Sequence, residues 1–144
     1  SGHSMIDGAT ELKDLDKTEA NKKLVEGFVH DVLMGENMDA LPSYYDGNNY
    51  IQHNPGIADG LDGLGKALAD MAAAGLKMVY YKNHKILGEG NFVLSVSEGE
   101  FCDRHVAFYD LFRVKNGKIA EHWDAIEDIP AEDKWLNKNG KFGF

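Results

Sequence analysis

The sequence has 144 residues, of which 24 are acidic and 15 are basic, and its formal net charge at pH 7 is −9. This length predicts one domain whose core is large enough to fold without a metal ion or a disulfide. The negative charge, with no cluster of lysine or arginine, argues against nucleic acid and anionic membranes as partners. No apolar stretch reaches membrane-spanning length, and the single cysteine, Cys102, fits a reducing compartment. We therefore expect a cytoplasmic protein.

The first half of the chain predicts helices. Residues 1–17 form an N-terminal arm, in which the four residues before Met5 resemble the remainder of an expression tag. Apolar residues recur at helical spacing from Thr18 to Leu33. Two further helices are predicted over residues 37–45 and 61–74, and an extended segment over residues 49–55 lies between them.

The second half predicts an antiparallel meander. Four extended segments, residues 77–87, 92–101, 104–115 and 118–126, follow one another with short joints. Residues 18–130 would then form the domain. The polar residues 131–144 are expected to form a C-terminal arm that packs on it.

The last hairpin carries the most specific chemistry. Asn116-Gly117 predicts a two-residue type I′ turn, which fixes how the two strands pair. Regular pairing from this turn places Asp110 opposite Trp123, between Phe108 and Phe112 on a mostly apolar face. Such surroundings disfavour the charged form of a carboxylate, which is typical of an acid–base residue. Two alternatives stay open: a solvated carboxylate at a sheet end, or a β-bulge that exchanges the two faces.

The same register makes predictions for both faces of the sheet. It places Ser95 and His84 in a row beside Asp110. The opposite face carries residues that we assign to a homodimer interface, namely Tyr109, Leu111, His122, Asp124 and Ile126. His122 and Asp124 have the residue types of an acid–base pair, but this register separates them from Asp110.

The segments YIQHNP at residues 50–55 and AFYDLFRVKNGKIAEHWD at residues 107–124 resemble the SnoaL-like polyketide cyclase group of the nuclear transport factor 2-like superfamily. The resemblance covers residues 21–130. It implies an α+β, cystatin-like fold: a cone-shaped, curved antiparallel or mixed sheet wrapped around N-terminal helices, with a deep pocket. In these cyclases a carboxylate on the penultimate long strand is the acid–base residue of an intramolecular aldol condensation, and Asp110 matches it.

One departure from the resemblance concerns a histidine that the cyclases carry on the preceding strand. Residues 92–101 contain no histidine. His53 and His84 are the candidates to replace it. His53 alternatively serves only to cap a loop backbone.

The leading hypothesis is an enzyme without a cofactor that transfers a proton next to a carbonyl in a small apolar substrate, by aldol-type cyclisation, isomerisation or dehydration. Its catalytic residues would be Asp110 and His53. Substrate-binding residues would be Tyr50, His84, Ser95, Phe108, Phe112 and Trp123. No metal ion is expected, because the histidines lack metal-binding spacing. The alternatives are a non-catalytic small-ligand-binding module and a pure interaction protein.

Overall fold

The computed structural model describes residues 3–143. Its helices are α1 (Thr18–Phe28), which continues as a π-helix (Val29–Met34), and α2 (Gly60–Ala73), with 3-10 turns at Leu15–Lys17, Leu41–Tyr44 and Glu132–Lys134. Its strands are β1 (Ile51–Gln52), β2 (Met78–Glu89), β3 (Phe92–Phe101), β4 (Arg104–Lys115) and β5 (Lys118–Asp128). Ser1, Gly2 and Phe144, the outer ends of the two predicted arms, lie outside the described residues.

The strands form one mixed sheet in the order β1-β5-β4-β3-β2. The four long strands are the predicted antiparallel meander, and the short β1 pairs parallel to β5 at one edge. The α+β class is therefore as expected, and so is the succession of elements, except that the helix predicted over residues 37–45 is only a 3-10 turn at Leu41–Tyr44. Helices cover one face of the sheet, which we call the inner face; the other is the outer face.

The first helix forms the core with the inner face. Its stripe of Val25, Phe28 and Val29 is at most 3% exposed. The ring of Phe28 meets that of Phe112 edge-on, with 5.7 Å between centroids. This packing explains why an apolar stripe at helical spacing predicted the helix correctly.

The predicted turn at the last hairpin is present. Asn116 has φ 52° and Gly117 has φ 73°. A type I′ turn needs positive φ at both central positions, and Asn-Gly is the residue pair that adopts it most readily. The strands on either side therefore begin pairing as expected, with Lys115 opposite Lys118.

A β-bulge at Ala120 changes the register that regular pairing predicts. Val114 pairs with Ile119, but the next pair is Arg113 with Glu121, so Ala120 is an extra residue on β5. One extra residue moves every later side chain of that strand to the other face. Without the bulge, the carboxylate of Glu121 would point into the apolar core.

The shifted register corrects two predictions. Asp110 lies opposite Asp124, not opposite Trp123, and Phe112 lies opposite His122. His122 and Asp124 are consequently on the inner face with Asp110, while Trp123 is on the outer face. Ile126 lies opposite Phe108 and is also on the inner face. The assignment of His122, Asp124 and Ile126 to an outer dimer face was therefore wrong.

The row predicted on the neighbouring strands is correct only in part. Ser95 lies opposite Asp110, as expected. The residue opposite Ser95 on β2, however, is Ile86 and not His84. The joint between β2 and β3 is the two-residue turn Gly90-Asn91, and the strands pair regularly from Glu89 opposite Phe92 up to Ile86 opposite Ser95. The expected four-residue joint would have shifted this pairing by two residues.

Both chain ends contact the outer face. The indole N–H of Trp123 donates to the backbone carbonyl of Asp7, 2.7 Å away. At the other end, the ring of Phe142 stacks on His84 with centroids 4.1 Å apart. Within residues 3–143, no helix combines the length and the apolar character that crossing a membrane requires.

Candidate active site

A small cavity of about 80 Å³ lies between the inner face, the π-helix and α2. Its walls are mostly aliphatic and aromatic side chains, including Leu33, Leu64, Met71 and Phe112. The polar lining side chains are Tyr45, Tyr50, Gln52, Tyr80, Asp110, His122 and Asp124. Polar groups gathered in an apolar cavity are typical of a small-molecule site.

Asp110 is at the centre of these polar groups and is 3% exposed. The Tyr80 hydroxyl donates to Asp110 Oδ2 at 2.9 Å. Burial, and then the charge of Asp110 and the hydrogen bond to it, raise the pKa of Tyr80 well above its usual value, so this phenol stays protonated and remains a donor. The ring of Phe108 stacks on Tyr80 at 4.0 Å and holds it in place.

His122 contacts the other oxygen of the same carboxylate. Its Nε2 lies 2.9 Å from Asp110 Oδ1, and its Nδ1 lies 2.8 Å from Gln52 Oε1. Gln52 is only 1% exposed, and its Oε1 also accepts from the backbone N–H of Asn54. That N–H can only donate, so the amide orientation of Gln52 is fixed and its Oε1 is an acceptor.

The proton content of the His122–Asp110 pair follows from this orientation. Because Gln52 Oε1 is an acceptor, Nδ1 of His122 must carry a hydrogen. If the ring is neutral, Nε2 carries no hydrogen and is an acceptor. It would then face a carboxylate oxygen, which is also an acceptor, with no proton between the two atoms. The contact of Nε2 with Asp110 Oδ1 therefore holds one proton, which belongs either to the imidazolium or to the carboxyl group.

Asp124 is a second carboxylate beside this pair. The Asn54 side-chain amide donates to both of its oxygens, at 3.1 and 2.9 Å, and the backbone N–H of Gly56 fixes that amide through its oxygen. Burial raises the pKa of Asp124, and the charge of Asp110 adds to this, whereas His122 and the Asn54 hydrogen bond oppose it. The net result is a raised pKa, so Asp124 keeps its proton to a higher pH than an ordinary aspartate does.

Two tyrosines complete the polar wall. The Gln52 side-chain amide donates to the Tyr50 hydroxyl at 2.8 Å. The rings of Tyr50 and Tyr45 meet edge-on with centroids 4.8 Å apart. Burial, more than the nearby charges of Asp110 and Asp124, raises the pKa of Tyr50 well above its usual value. Both hydroxyls are thus neutral groups that can bind a polar substrate atom.

Three of the side chains in this cavity are also of the types that bind metal ions. Asp110, His122 and Asp124 can each offer one ligand atom, and these atoms lie within 4.8 Å of one another. Within residues 3–143, however, every buried side-chain nitrogen and oxygen already has a hydrogen-bond partner in the protein. A metal ion would have to displace the proton between His122 and Asp110, so the donor set fits proton transfer better than metal binding.

The structure brings some of the sequence-predicted site residues together. Asp110, Tyr50 and Phe112 line the cavity. Phe108 supports Tyr80 from behind. Ser95 is fully buried beside Asp110, and its hydroxyl accepts from the side-chain amide of Asn83 at 2.9 Å.

Three other predicted residues lie away from the cavity. His53 is 1% exposed and contacts Glu121 Oε1 at 2.7 Å, on the outer face. Trp123 stacks on His53 with 4.7 Å between ring centroids. His84 contacts Glu98 at 2.8 Å, also on the outer face. These positions separate His53 from Asp110, and the histidine that contacts Asp110 is instead His122.

Sequence reasoning missed five polar residues of the site: Tyr45, Gln52, Tyr80, His122 and Asp124. His122 and Asp124 had suitable residue types but were placed on the wrong face by the regular register. Gln52 reaches the site only because β1 pairs with β5, opposite His122. The one available signal was the alternation in the segment Tyr50–Asn54, which puts Tyr50 and Gln52 on the same face.

The fold and this cavity define a class: small α+β proteins of the nuclear transport factor 2-like, cystatin-like type, with a polar cluster in a cavity between the sheet and the helices. The sequence matches the SnoaL-like domain family over residues 25–122. The chain therefore belongs to the SnoaL-like domain family. A search of curated protein sequences finds no match.

Several solved structures share the fold. An LEH-like epoxide hydrolase from M. tuberculosis is 23% identical and aligns over 77% of this chain and 85% of its own, with a TM-score of 0.55. A SnoaL-like polyketide cyclase from Agrobacterium tumefaciens is 13% identical over 74% and 91% of the two chains, with a TM-score of 0.55. A protein of unknown function with a cystatin-like fold from Xanthomonas campestris is 19% identical over 76% and 91%, with a TM-score of 0.60.

Proposed function

We propose that this protein is a cofactor-independent enzyme that transfers a proton at a carbon next to a carbonyl, in an aldol-type cyclisation, an isomerisation or a dehydration of a small apolar substrate. The observation that carries the proposal is the 2.9 Å contact between His122 Nε2 and Asp110 Oδ1 inside an apolar cavity. A group that can both take up and return a proton, shielded from water, is what acid–base catalysis requires.

The roles follow from the contacts. In the form with a charged carboxylate, Asp110 removes the proton from carbon and becomes neutral, and the negative charge moves to the carbonyl oxygen of the substrate. The contact with His122 Nε2 holds the carboxyl group of Asp110 in position. Gln52 is a positioning residue, because it keeps the hydrogen of His122 on Nδ1 and so directs Nε2 at Asp110. Asp124, with its raised pKa, donates a hydrogen bond to the oxygen on which negative charge develops.

The similar structures support the reaction class only at a coarse level. One relative in fold is a polyketide cyclase, and another is an epoxide hydrolase. The cyclase is the closer parallel to proton transfer next to a carbonyl. The substrate panel for testing should nevertheless include an epoxide, because the same fold also serves that chemistry.

The first prediction concerns Asp110. In D₂O, the protein should accelerate the exchange of α-hydrogens in small apolar ketones, followed by proton NMR, whether or not a complete turnover follows. Asp110→Asn should reduce this exchange by about 10²- to 10⁴-fold, the usual contribution of a general base. The matched control is Asp128→Asn, an exposed aspartate on β5, which should leave exchange unchanged.

Two results would contradict this proposal. Undiminished exchange in a folded Asp110→Asn protein would remove the carboxylate from the mechanism. Exchange that is lost on dialysis against EDTA and returns with zinc would make Asp110, His122 and Asp124 metal ligands instead. We expect exchange to survive EDTA.

A further inference from the structure

A second, larger cavity lies directly outside the first. It is a groove of about 780 Å³ between the end of the π-helix, α2 and the start of β2. Apart from Gly65 and the charged Glu36 and Lys77, its walls are apolar side chains. Its volume falls in the range of about 300–1,000 Å³ that is usual for small-molecule sites, whereas the inner cavity is far below it.

The groove and the inner cavity share walls. Five side chains line both: Val32, Leu33, Leu68, Met71 and Met78. Four of the five are half-buried and only Val32 is buried, and two of them are methionines, whose unbranched chains change rotamer easily. A thin, flexible, apolar partition therefore separates the polar cluster from the groove.

The size of the inner cavity limits what it can hold by itself. Its 80 Å³ corresponds to the volume of about two or three water molecules. A carbonyl group with its neighbouring carbon would fit there, but a longer molecule would not. Any larger substrate must extend through the partition into the groove.

The charges select the kind of substrate. Among the described residues, no lysine or arginine lines the inner cavity, and its one histidine, His122, already contacts Asp110. A carboxylate or phosphate on the substrate would therefore find no free cation among these lining residues to pair with. The groove offers apolar walls to the rest of the molecule. Its two charged wall residues, Glu36 and Lys77, are both exposed and of opposite sign, so they favour neither anions nor cations.

We propose that the groove is the second half of the substrate site, and that the substrate is an elongated, uncharged molecule with its carbonyl end at the polar cluster and an apolar tail between α2 and the start of β2. This rests on the proposed function for the carbonyl end, but the binding of the tail can be measured separately. Movement of Met71 and Met78 opens the partition when the tail enters.

The test measures binding of straight-chain methyl ketones from four to eleven carbons, by displacement of a neutral naphthalene ketone dye whose emission reports an apolar site. Affinity should increase with each methylene added, by at most about fourfold. A fatty-acid anion of the same length should bind at least tenfold more weakly. The measurement is made on the wild type and on Asp110→Asn, so that it does not depend on turnover.

Variants on α2 provide a matched pair. Ala72 is exposed and lines the groove, whereas the adjacent Ala73 is exposed and does not. Ala72→Trp should fill the groove and abolish the dependence of affinity on chain length, while Ala73→Trp should preserve it. If Ala72→Trp fails to fold, Ala69→Trp blocks the same groove from one turn earlier.

The outcomes separate this inference from the proposed function. Affinity that does not depend on ketone length, or a folded Ala72→Trp protein that keeps the length dependence, would overturn the groove as a substrate site, even if α-hydrogen exchange occurs. Length-dependent binding without any exchange would leave the groove assignment standing as a ligand site and remove the enzymatic proposal.

Discussion

Asp124 shows how a single carboxylate links the stability of this protein to its chemistry. It lies inside the cavity beside Asp110, and burial is the main cause of its raised pKa. In the unfolded chain it would titrate near 3.9. The folded state therefore binds a proton more tightly at this position than the unfolded state does, which favours folding at low pH and opposes it as the side chain ionises.

The second prediction follows from the direction of this pKa shift. The stability associated with Asp124 is fully present below its unfolded pKa and is lost as the pH rises through its raised folded pKa. Asp124→Asn cannot ionise, so the stability of the variant relative to the wild type should increase as the pH rises from 4 to 7. Urea unfolding at several pH values measures this difference.

The control for this prediction is Asp128→Asn, whose side chain is exposed. It should show no such trend. A relative stability of Asp124→Asn that stays constant over this pH range would mean that the aspartate ionises in the folded protein as it does in the unfolded chain. The variant should also slow α-hydrogen exchange, because it loses the proposed proton donor.

At the scale of elements, the N-terminal arm is fastened to the outer face through His53. Nε2 of this ring contacts Glu121, and Nδ1 contacts the carbonyl of Ser4 at 2.7 Å and the carboxylate of Asp7 at 3.0 Å. Every partner is an acceptor, so the contacts are complete only when both nitrogens carry a hydrogen. Glu121 is held on its other side by Arg113 Nε at 2.7 Å.

The pKa of His53 reflects these contacts. Burial lowers it, but the hydrogen bonds to Glu121 and the Ser4 carbonyl, with the charges of Glu121 and Asp7, outweigh burial and raise it. A raised histidine pKa stabilises the folded contacts fully below the unfolded value near 6.5, and this stabilisation is lost as the pH rises through the folded pKa.

The third prediction is that the arm loosens at alkaline pH. Limited proteolysis within residues 5–13 should accelerate between pH 6 and pH 9 by more than the intrinsic pH dependence of the protease. His53→Gln should be cleaved at a similar, fast rate at both pH values. His105→Gln, an exposed histidine on the same face, is the control and should behave as the wild type. Equal protection of the wild-type arm at both pH values would contradict the prediction.

At the scale of the whole molecule, the outer face of the sheet carries a partly exposed apolar patch. Tyr109 and Leu111 on β4 are only half-buried there. The two chain ends cover part of this face, since Trp123 binds the N-terminal arm and the C-terminal Lys141 lies 5.6 Å from the ring centroid of Tyr109. We propose that a second copy of the chain covers the remainder.

The fourth prediction is a homodimer that Tyr109→Arg weakens, because the variant would place a charge in the apolar part of the interface. Light scattering across micromolar concentrations should show the dimer for the wild type and a shift toward monomer for the variant. Lys115→Arg, on the exposed end of the same strand, should leave the equilibrium unchanged. A wild-type monomer at high micromolar concentration would leave the two arms as the cover of this face.

The sequence by itself determined the order of elements, the turn at Asn116-Gly117 and the position of Asp110 on an apolar inner face. These features depend on local periodicity and turn chemistry, which neighbouring residues specify. The sequence also showed the resemblance to the SnoaL-like family. The bounds of β3 and β4 agree with the prediction for the same reason.

Only the tertiary structure decided which residues accompany Asp110. The bulge at Ala120 depends on burying Val114 and Ile119 near the turn while keeping Glu121 out of the core, and no local pattern specifies where a strand inserts an extra residue. Gln52 meets His122 across 70 positions of sequence through a strand of two residues. Asp110 and His122 are in contact because long-range packing, and not local sequence, decided which face of the sheet each β5 side chain occupies.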